Sequence, residues 1–364
     1  MNPLKWIVTG GFLLAMVPTV ALAQVGDVKD VPDPTIIAAG GHYYVFSTEP
    51  GIGIRRSDDL YTWKKIGTVL PGALPDWAQK EVPGTQFPWA PDVSFFNGRY
   101  HVYYALSTFG GQRSVIGLAT NTTLDPASPG YRWMDEGTVV ESNPGVSSYN
   151  AIDANVSFDE RRQPWLSWGS FWGGIKMRRL DPRTGKPSAE DTATYSLAAR
   201  AGVNATKGPA DSQAIEGPFI IRHAGYYWLF VSFDACCRGA ESSYNVRVGR
   251  SAGITGPYMD RAGVAMTEGG GTLVLAGLGQ IAGPGHNAVL TVGDRQYIVH
   301  HFVNIKEGPA SPDAPLAIPR SLQIRPLYWG WDGWPIAGEP ITGPQPAPPL
   351  DTDPTPGRTG RRAQ

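Results

Sequence analysis

Asp92-Val93-Ser94-Phe95-Phe96-Asn97-Gly98-Arg99-Tyr100-His101-Val102-Tyr103-Tyr104 reads as two short strands joined by a tight turn. Aromatic and β-branched side chains lie on both sides of Asn97-Gly98, a dipeptide that tolerates the left-handed backbone of a two-residue hairpin. The same layout recurs along the chain. Asp33-Pro34-Thr35-Ile36-Ile37 turns at Gly40-Gly41 and resumes at Tyr43. Residues 153–158, from Asp153, turn through Asp159 to Gln163 and resume at Trp165. Residues 216–221, from Glu216, turn near Gly225 and resume at Tyr226; residues 286–290, from His286, turn at Gly293-Asp294 and resume at Tyr297. The leading residues are spaced by 59, 61, 63 and 70. Each unit has room for two further strands, such as Ile52-Gly53-Ile54-Arg55 and Val115-Ile116-Gly117-Leu118. This recurrence predicts an all-β chain folded as a five-bladed β-propeller, with its active site over the central channel. The competing architecture is a β-sandwich or barrel whose hairpins look alike.

In a propeller the innermost strands surround one channel, so equivalent positions form a ring. The leading residues Asp33, Asp92, Asp153, Glu216 and His286 would meet there. Several buried carboxyls sharing one site push some of their pKa values upward, and such a cluster points to metal binding or proton chemistry. Asp92 is the member best explained by capping its own turn. Cleavage of a glycosidic bond needs one protonated carboxyl and one carboxylate, with a third able to tune the acid. Asp33, Asp153 and Glu216 come from separate blades and can surround a sugar. Trp89, Phe109 with Gly110-Gly111, Asn150, and Ser170-Phe171-Trp172 flank them in Gly-rich turns and are candidates for lining subsites, although each aromatic could equally pack in a core.

The 364 residues carry 31 Lys+Arg against 32 Asp+Glu, which leaves no basic surplus for nucleic acid. With 12 Trp, 15 Tyr and 12 Phe the chain is no disordered tract. Met1 to Ala23 (MNPLKWIVTGGFLLAMVPTVALA) has a Lys, a short apolar run, and a small-x-small end at Ala21-Leu22-Ala23. It reads as a signal peptide. The expected organisation is signal peptide 1–23, propeller 24–342 and a Pro-rich flexible tail 343–364. The product is expected to be periplasmic or extracellular, off the membrane once cleaved, and in no need of a protein partner. Asn121, Asn155 and Asn204 begin Asn-x-Ser/Thr triplets read as chance matches. Cys236-Cys237 allows two readings: a pair of buried thiols, or a vicinal disulfide lining a site.

The segments VPDPTII, WAPDVSFFNGRYHVYYALSTFG, IGLATNTTLDP, YNAIDANV, SWGSFWGGIKM, AIEGPFII, FVSFDACCRG and GPGHNAVL, in this order, resemble the glycoside hydrolase family 43 arabinanases, above all endo-acting α-1,5-L-arabinanases. The likeness runs from about Gly26 to Ile336. It implies an inverting hydrolase of linear arabinan or arabino-oligosaccharides. Asp33 would be the general base, Asp153 the group that tunes and orients the acid, and Glu216 the general acid, with Asp33 and Glu216 about 6.5–9.5 Å apart. Trp89, Phe109, Gly110, Asn150, Ser170 and Phe171 would bind substrate. His286 would bind a hydrated Ca2+, which prefers oxygen and so takes most ligands from water. An exo-arabinofuranosidase, another pentoside or fructoside hydrolase, and a non-catalytic glycan-binding propeller are the alternatives. The chain departs from the family pattern at Pro32, where His is common, at Ala154, where Pro is common, and at Gly217, where Ala is frequent.

Overall fold

A computed structural model describes residues 24–206, 214–308 and 318–350; the proposed signal peptide lies outside them. The chain forms five sheets in sequence order, each an antiparallel meander. The first blade comprises Thr35–Ala39, His42–Ser47, Gly53–Ser57 and Thr62–Thr68, with Val25–Gly26 added in parallel at its outer edge. The second comprises Trp89–Phe96, Arg99–Leu106, Ser114–Asn121 and Met134–Ser142. In the third, Asn155–Phe158 and Pro164–Trp168 precede Ile175–Asp181, which pairs with both Lys186–Pro187 and Tyr195–Ala198. The fourth runs Ile215–His223, Tyr226–Phe233, Asn245–Ser251 and Thr272–Leu275. The fifth runs Ile281–Val292, Arg295–Asn304, Arg320–Trp329 and Pro335–Ala337. The five-bladed β-propeller expected from the repeat is the observed fold.

The turn chemistry matches the sequence. Asn97 and Gly98 both hold left-handed backbone (φ 48° and 72°), as do Gly40 and Gly41 (φ 56° and 80°), the signature of a two-residue hairpin. The apolar faces of the strands pack between blades rather than within them. Ile37, Phe46 and Ile54 of blade one meet Val93, Tyr104 and Val115 of blade two. Phe96 and Ile116 meet Val156, Leu166 and Trp168 of blade three. Similar clusters join blades three and four through Met177 and Leu229, and four and five through Phe230 and Ile298. The ring closes between blades five and one, where Val299 and Leu322 pack with Tyr43, Val45 and Trp63. The N-terminal segment ties this seam: Val31 N–H donates to the Arg320 carbonyl (2.7 Å), and Leu322 N–H to that of Val28 (2.8 Å).

One backbone feature repeats in every blade. Asp33, Ala90, Asp153, Gly217 and His286 all take left-handed φ, of 52°, 40°, 60°, 58° and 48°. Four of the five are not glycine, and each such residue costs about 1 kcal/mol or more in conformational energy. In blades one and three the innermost ladder starts two residues later, at Thr35 and Asn155. In blades two, four and five the register shifts at this point, between Trp89 and Asp92, Glu216 and Phe219, and Gly285 and Ala288. Such a bulge re-aims a side chain away from the plane of the strand.

This feature corrects the ring drawn from sequence. Asp33, Asp153 and His286 are equivalent, but their counterparts are Ala90 and Gly217, not Asp92 and Glu216. Asp92 lies two residues further in and binds blades together. It accepts from the Asn155 side-chain amide (3.1 Å), from Val156 N–H (2.9 Å) and, more weakly, from the Thr35 hydroxyl (3.4 Å). Asn155 in turn accepts from Ile220 N–H (2.9 Å), so a polar seam crosses four blades.

Residues 343–350, expected to extend into solvent, lie against blade one. Gln345 N–H donates to the Asp59 carbonyl (2.7 Å) and the Tyr43 hydroxyl to that of Pro346 (2.9 Å). The prolines supply no N–H of their own, yet their carbonyls remain acceptors. Residues 351–364 lie outside those described.

Candidate active site

Asp33, Asp153 and Glu216 converge from blades one, three and four, with His286 from blade five. The Asp33 carboxylate accepts from the Thr48 hydroxyl through Oδ2 (2.6 Å), while Oδ1 faces His301 Nδ1 (3.4 Å), His286 Nδ1 (3.5 Å) and the Arg320 guanidinium (3.7 Å). Burial pushes its carboxyl up, but His286, Arg320, His301 and the Thr48 hydroxyl outweigh that and hold it at about 2. Of these groups only Arg320 keeps its charge at any ordinary pH. His301 is fully buried, which holds its imidazole well below the usual range. Its Nδ1 accepts from Asp33 N–H (3.0 Å), so a neutral ring carries its proton on Nε2 and serves Asp33 as a backbone anchor rather than an ion pair.

Asp153 has the opposite setting. Its carboxyl accepts from Gly217 N–H (3.1 Å). Burial first, then the charges of Glu216 and Asp33, push its carboxyl well above the usual range. Both oxygens of Glu216 are held by hydroxyls: Ser170 Oγ donates to Oε2 (2.7 Å) and Tyr244 to Oε1 (2.9 Å). Burial and the carboxylates of Glu216, Asp153 and Asp33 keep the Tyr244 phenol well above its ordinary value, so it remains a donor. Its ring lies so close to Gly285 that any Cβ there would stand 2.1 Å from it. A carboxylate held ionised, Asp33, and two further carboxyls that share one buried site with it, Asp153 and Glu216, are the parts from which acid–base cleavage of a glycosidic bond can be built.

The remaining predicted residues divide. Ser170 reaches the centre through Glu216. The turn that carries it is fixed by Phe171, left-handed at φ 51°, whose N–H donates to the Ile215 carbonyl (2.9 Å) beside Glu216. Asn150 is buried and its amide donates to the Gly111 carbonyl (3.3 Å), so it supports the Phe109-Gly110-Gly111 turn from blade three. Phe109 itself is 86% exposed, a ring presented to solvent at the tip of that turn. Trp89 is half-buried and immediately precedes Ala90. Thr48, Tyr244, His301 and Arg320 were missed. His300-His301, adjacent in a strand, was the available signal for one of them; the other three had none. The cysteines form a disulfide, with Cys237 exposed, which replaces the reading as two buried thiols.

No set of three His, Cys, Asp or Glu that could hold a metal ion converges among the described residues. His286 therefore offers a single imidazole. Asn287, next in sequence, is buried, and among the described residues neither polar atom of its side chain has a hydrogen-bond partner. One imidazole could hold a cation such as calcium only through the ion's own waters.

The propeller with paired carboxyls at its mouth is the framework of a glycoside hydrolase. Residues 28–335 match the model of glycosyl hydrolases family 43, and the chain belongs to that family. It is 39% identical over 312 residues to an extracellular exo-α-(1→5)-L-arabinofuranosidase of Cellvibrio japonicus, covering 85% of this chain and 87% of that one. It is 38% identical over 307 residues to an extracellular endo-α-(1→5)-L-arabinanase of Bacillus subtilis, covering 83% and 86%. The structure of the Cellvibrio cellulosa α-L-arabinanase complexed with arabinohexaose superposes with a TM-score of 0.79 at 37% identity, over 86% of this chain and 96% of that one.

Proposed function

We propose that this enzyme hydrolyses α-1,5-linked L-arabinofuranosidic bonds within linear arabinan, with inversion. The observation that carries the reading is the convergence of three carboxyls, from three blades, at one mouth. Asp33, ionised, takes a proton from water as the water oxygen bonds to the anomeric carbon. Glu216 gives its proton to the leaving oxygen as the glycosidic bond breaks. Asp153 tunes and orients the acid, and Ser170 and Tyr244 hold both oxygens of the Glu216 carboxyl group in place. A hydrated calcium ion at His286 would add positive charge at the mouth. Export is supported by the extracellular relatives.

Exo action is the second reading, favoured by the likeness to the Cellvibrio japonicus exo-enzyme. Digestion of linear arabinan with early product sizing separates the two. A ladder of oligosaccharides is expected; a single short product from the first minutes establishes exo action. Glu216→Gln is expected to lose about 10²–10⁴-fold in kcat, and full activity in it would remove the acid assignment. Chelation with EDTA should slow the same digestion and calcium should restore it; an unchanged rate would remove the ion.

A further inference from the structure

We propose that Arg320 is a positioning residue for Asp33 and that the Cys236–Cys237 disulfide seats it. The inference rests on Asp33 being the general base. Residues 234–244 link the second and third strands of blade four and touch the site at both ends. At one end Tyr244 holds Glu216. At the other, the Cys237 sulfur accepts from Arg320 Nη1 (3.6 Å), and that nitrogen stands 3.7 Å from Asp33 Oδ1.

The loop is built to keep this place. Arg200 holds Asp234 (2.7 Å), and the Asn245 amide donates to the same carboxylate (2.8 Å). The Ser243 and Tyr244 N–H groups both donate to the Ala235 carbonyl (3.0 and 3.1 Å), and Arg238 N–H donates to the Ser242 hydroxyl (3.0 Å). Cys237 is left-handed, at φ 63°, and exposed. A bond between neighbouring sulfurs removes the rotation that two free thiols would keep, and so offers Arg320 one fixed contact.

Arg320 matters because of which oxygen it faces. Thr48 occupies Oδ2 of Asp33, so Oδ1 is the oxygen left for water. His301 Nδ1 is engaged by the Asp33 N–H. His286 Nδ1 also faces Oδ1, at 3.5 Å, but Arg320 is the permanently charged group beside it. Its backbone is fixed through Val31, but its side chain is 25% exposed and needs the sulfur contact to stay in place. An error of about an ångström in a reacting group costs on the order of 10²-fold in rate.

A cycle on linear arabinan, with folding checked by thermal midpoint, tests the inference. Arg320→Gln is expected to lower kcat about tenfold or more with KM little changed, and Arg320→Lys to recover part of it. Replacing both cysteines by Ala should lower kcat several-fold in the parent, but add nothing in the Arg320→Gln chain. Parent-like kcat in Arg320→Gln, or a cysteine effect of the same size in both backgrounds, overturns the proposal. Asp33→Asn is run alongside. If it stays active, the base assignment falls and this inference with it. If it is inactive while Arg320→Gln is not, only the inference falls.

Discussion

Asp92, on an innermost strand, and Asp153, two residues before one, are both buried aspartates, yet one is a joint and the other a working part of the site. Burial pushes both carboxyls up, Asp92 to about 7 and Asp153 well above the usual range. The difference is in their neighbours. Three donors point at Asp92, from Thr35, Asn155 and Val156, and no anion opposes it. Asp153 has Gly217 N–H and the charges of Glu216 and Asp33. A carboxyl surrounded by donors spends its bonding on structure. One facing other carboxyls is coupled to their charge and so takes part in setting the chemistry of the site.

The sharpest way to break this contrast is to remove the titratable group at Asp153. Asp153→Asn should lower kcat on linear arabinan about 100-fold or more, while denaturant unfolding shows stability equal to or above that of the parent. A marked loss of stability would make Asp153 a joint as well. The converse change is Asp92→Ala, which orphans the buried donors of Asn155 and Val156. It should cost about 3 kcal/mol of stability with kcat per folded molecule nearly unchanged. The smallest effect lies in pH. The Asp92 carboxyl is raised on folding, so the folded chain holds a proton that the unfolded chain has released. Its contribution to stability is full below about pH 4 and is lost as pH rises to about 7. Asp92→Asn should flatten stability across that window; an unchanged slope would place the proton elsewhere.

The blades were legible in the sequence because hairpins leave short-range marks. Asn97-Gly98 and Gly40-Gly41 fall at two-residue turns, and the strands around them alternate as a pleat requires. The carboxyls of the site were legible by chemical type. Their register was not. Aligning acids with acids matched Asp92 and Glu216 to Asp33, whereas the backbone aligns Ala90 and Gly217 with it. A bulge is a property of φ, and Ala90 carries no mark of it. Arg320 and Tyr244 were hidden for a different reason: each stands near a strand end and acts on a residue far from it in sequence, Arg320 across the boundary from blade five to blade one and Tyr244 on Glu216 within its own blade. Ser170, read from sequence as lining a subsite, donates its hydroxyl to Glu216.

The five left-handed positions also separate address from cargo. Each blade delivers one residue to the rim by the same backbone device, whatever side chain that residue bears: two acids, an imidazole, a methyl and a bare glycine. Ala90, whose N–H is anchored on the Thr48 hydroxyl at 2.7 Å, is thus a delivery point with almost nothing loaded. The rim can be re-equipped one blade at a time, with the strand pairing behind it undisturbed.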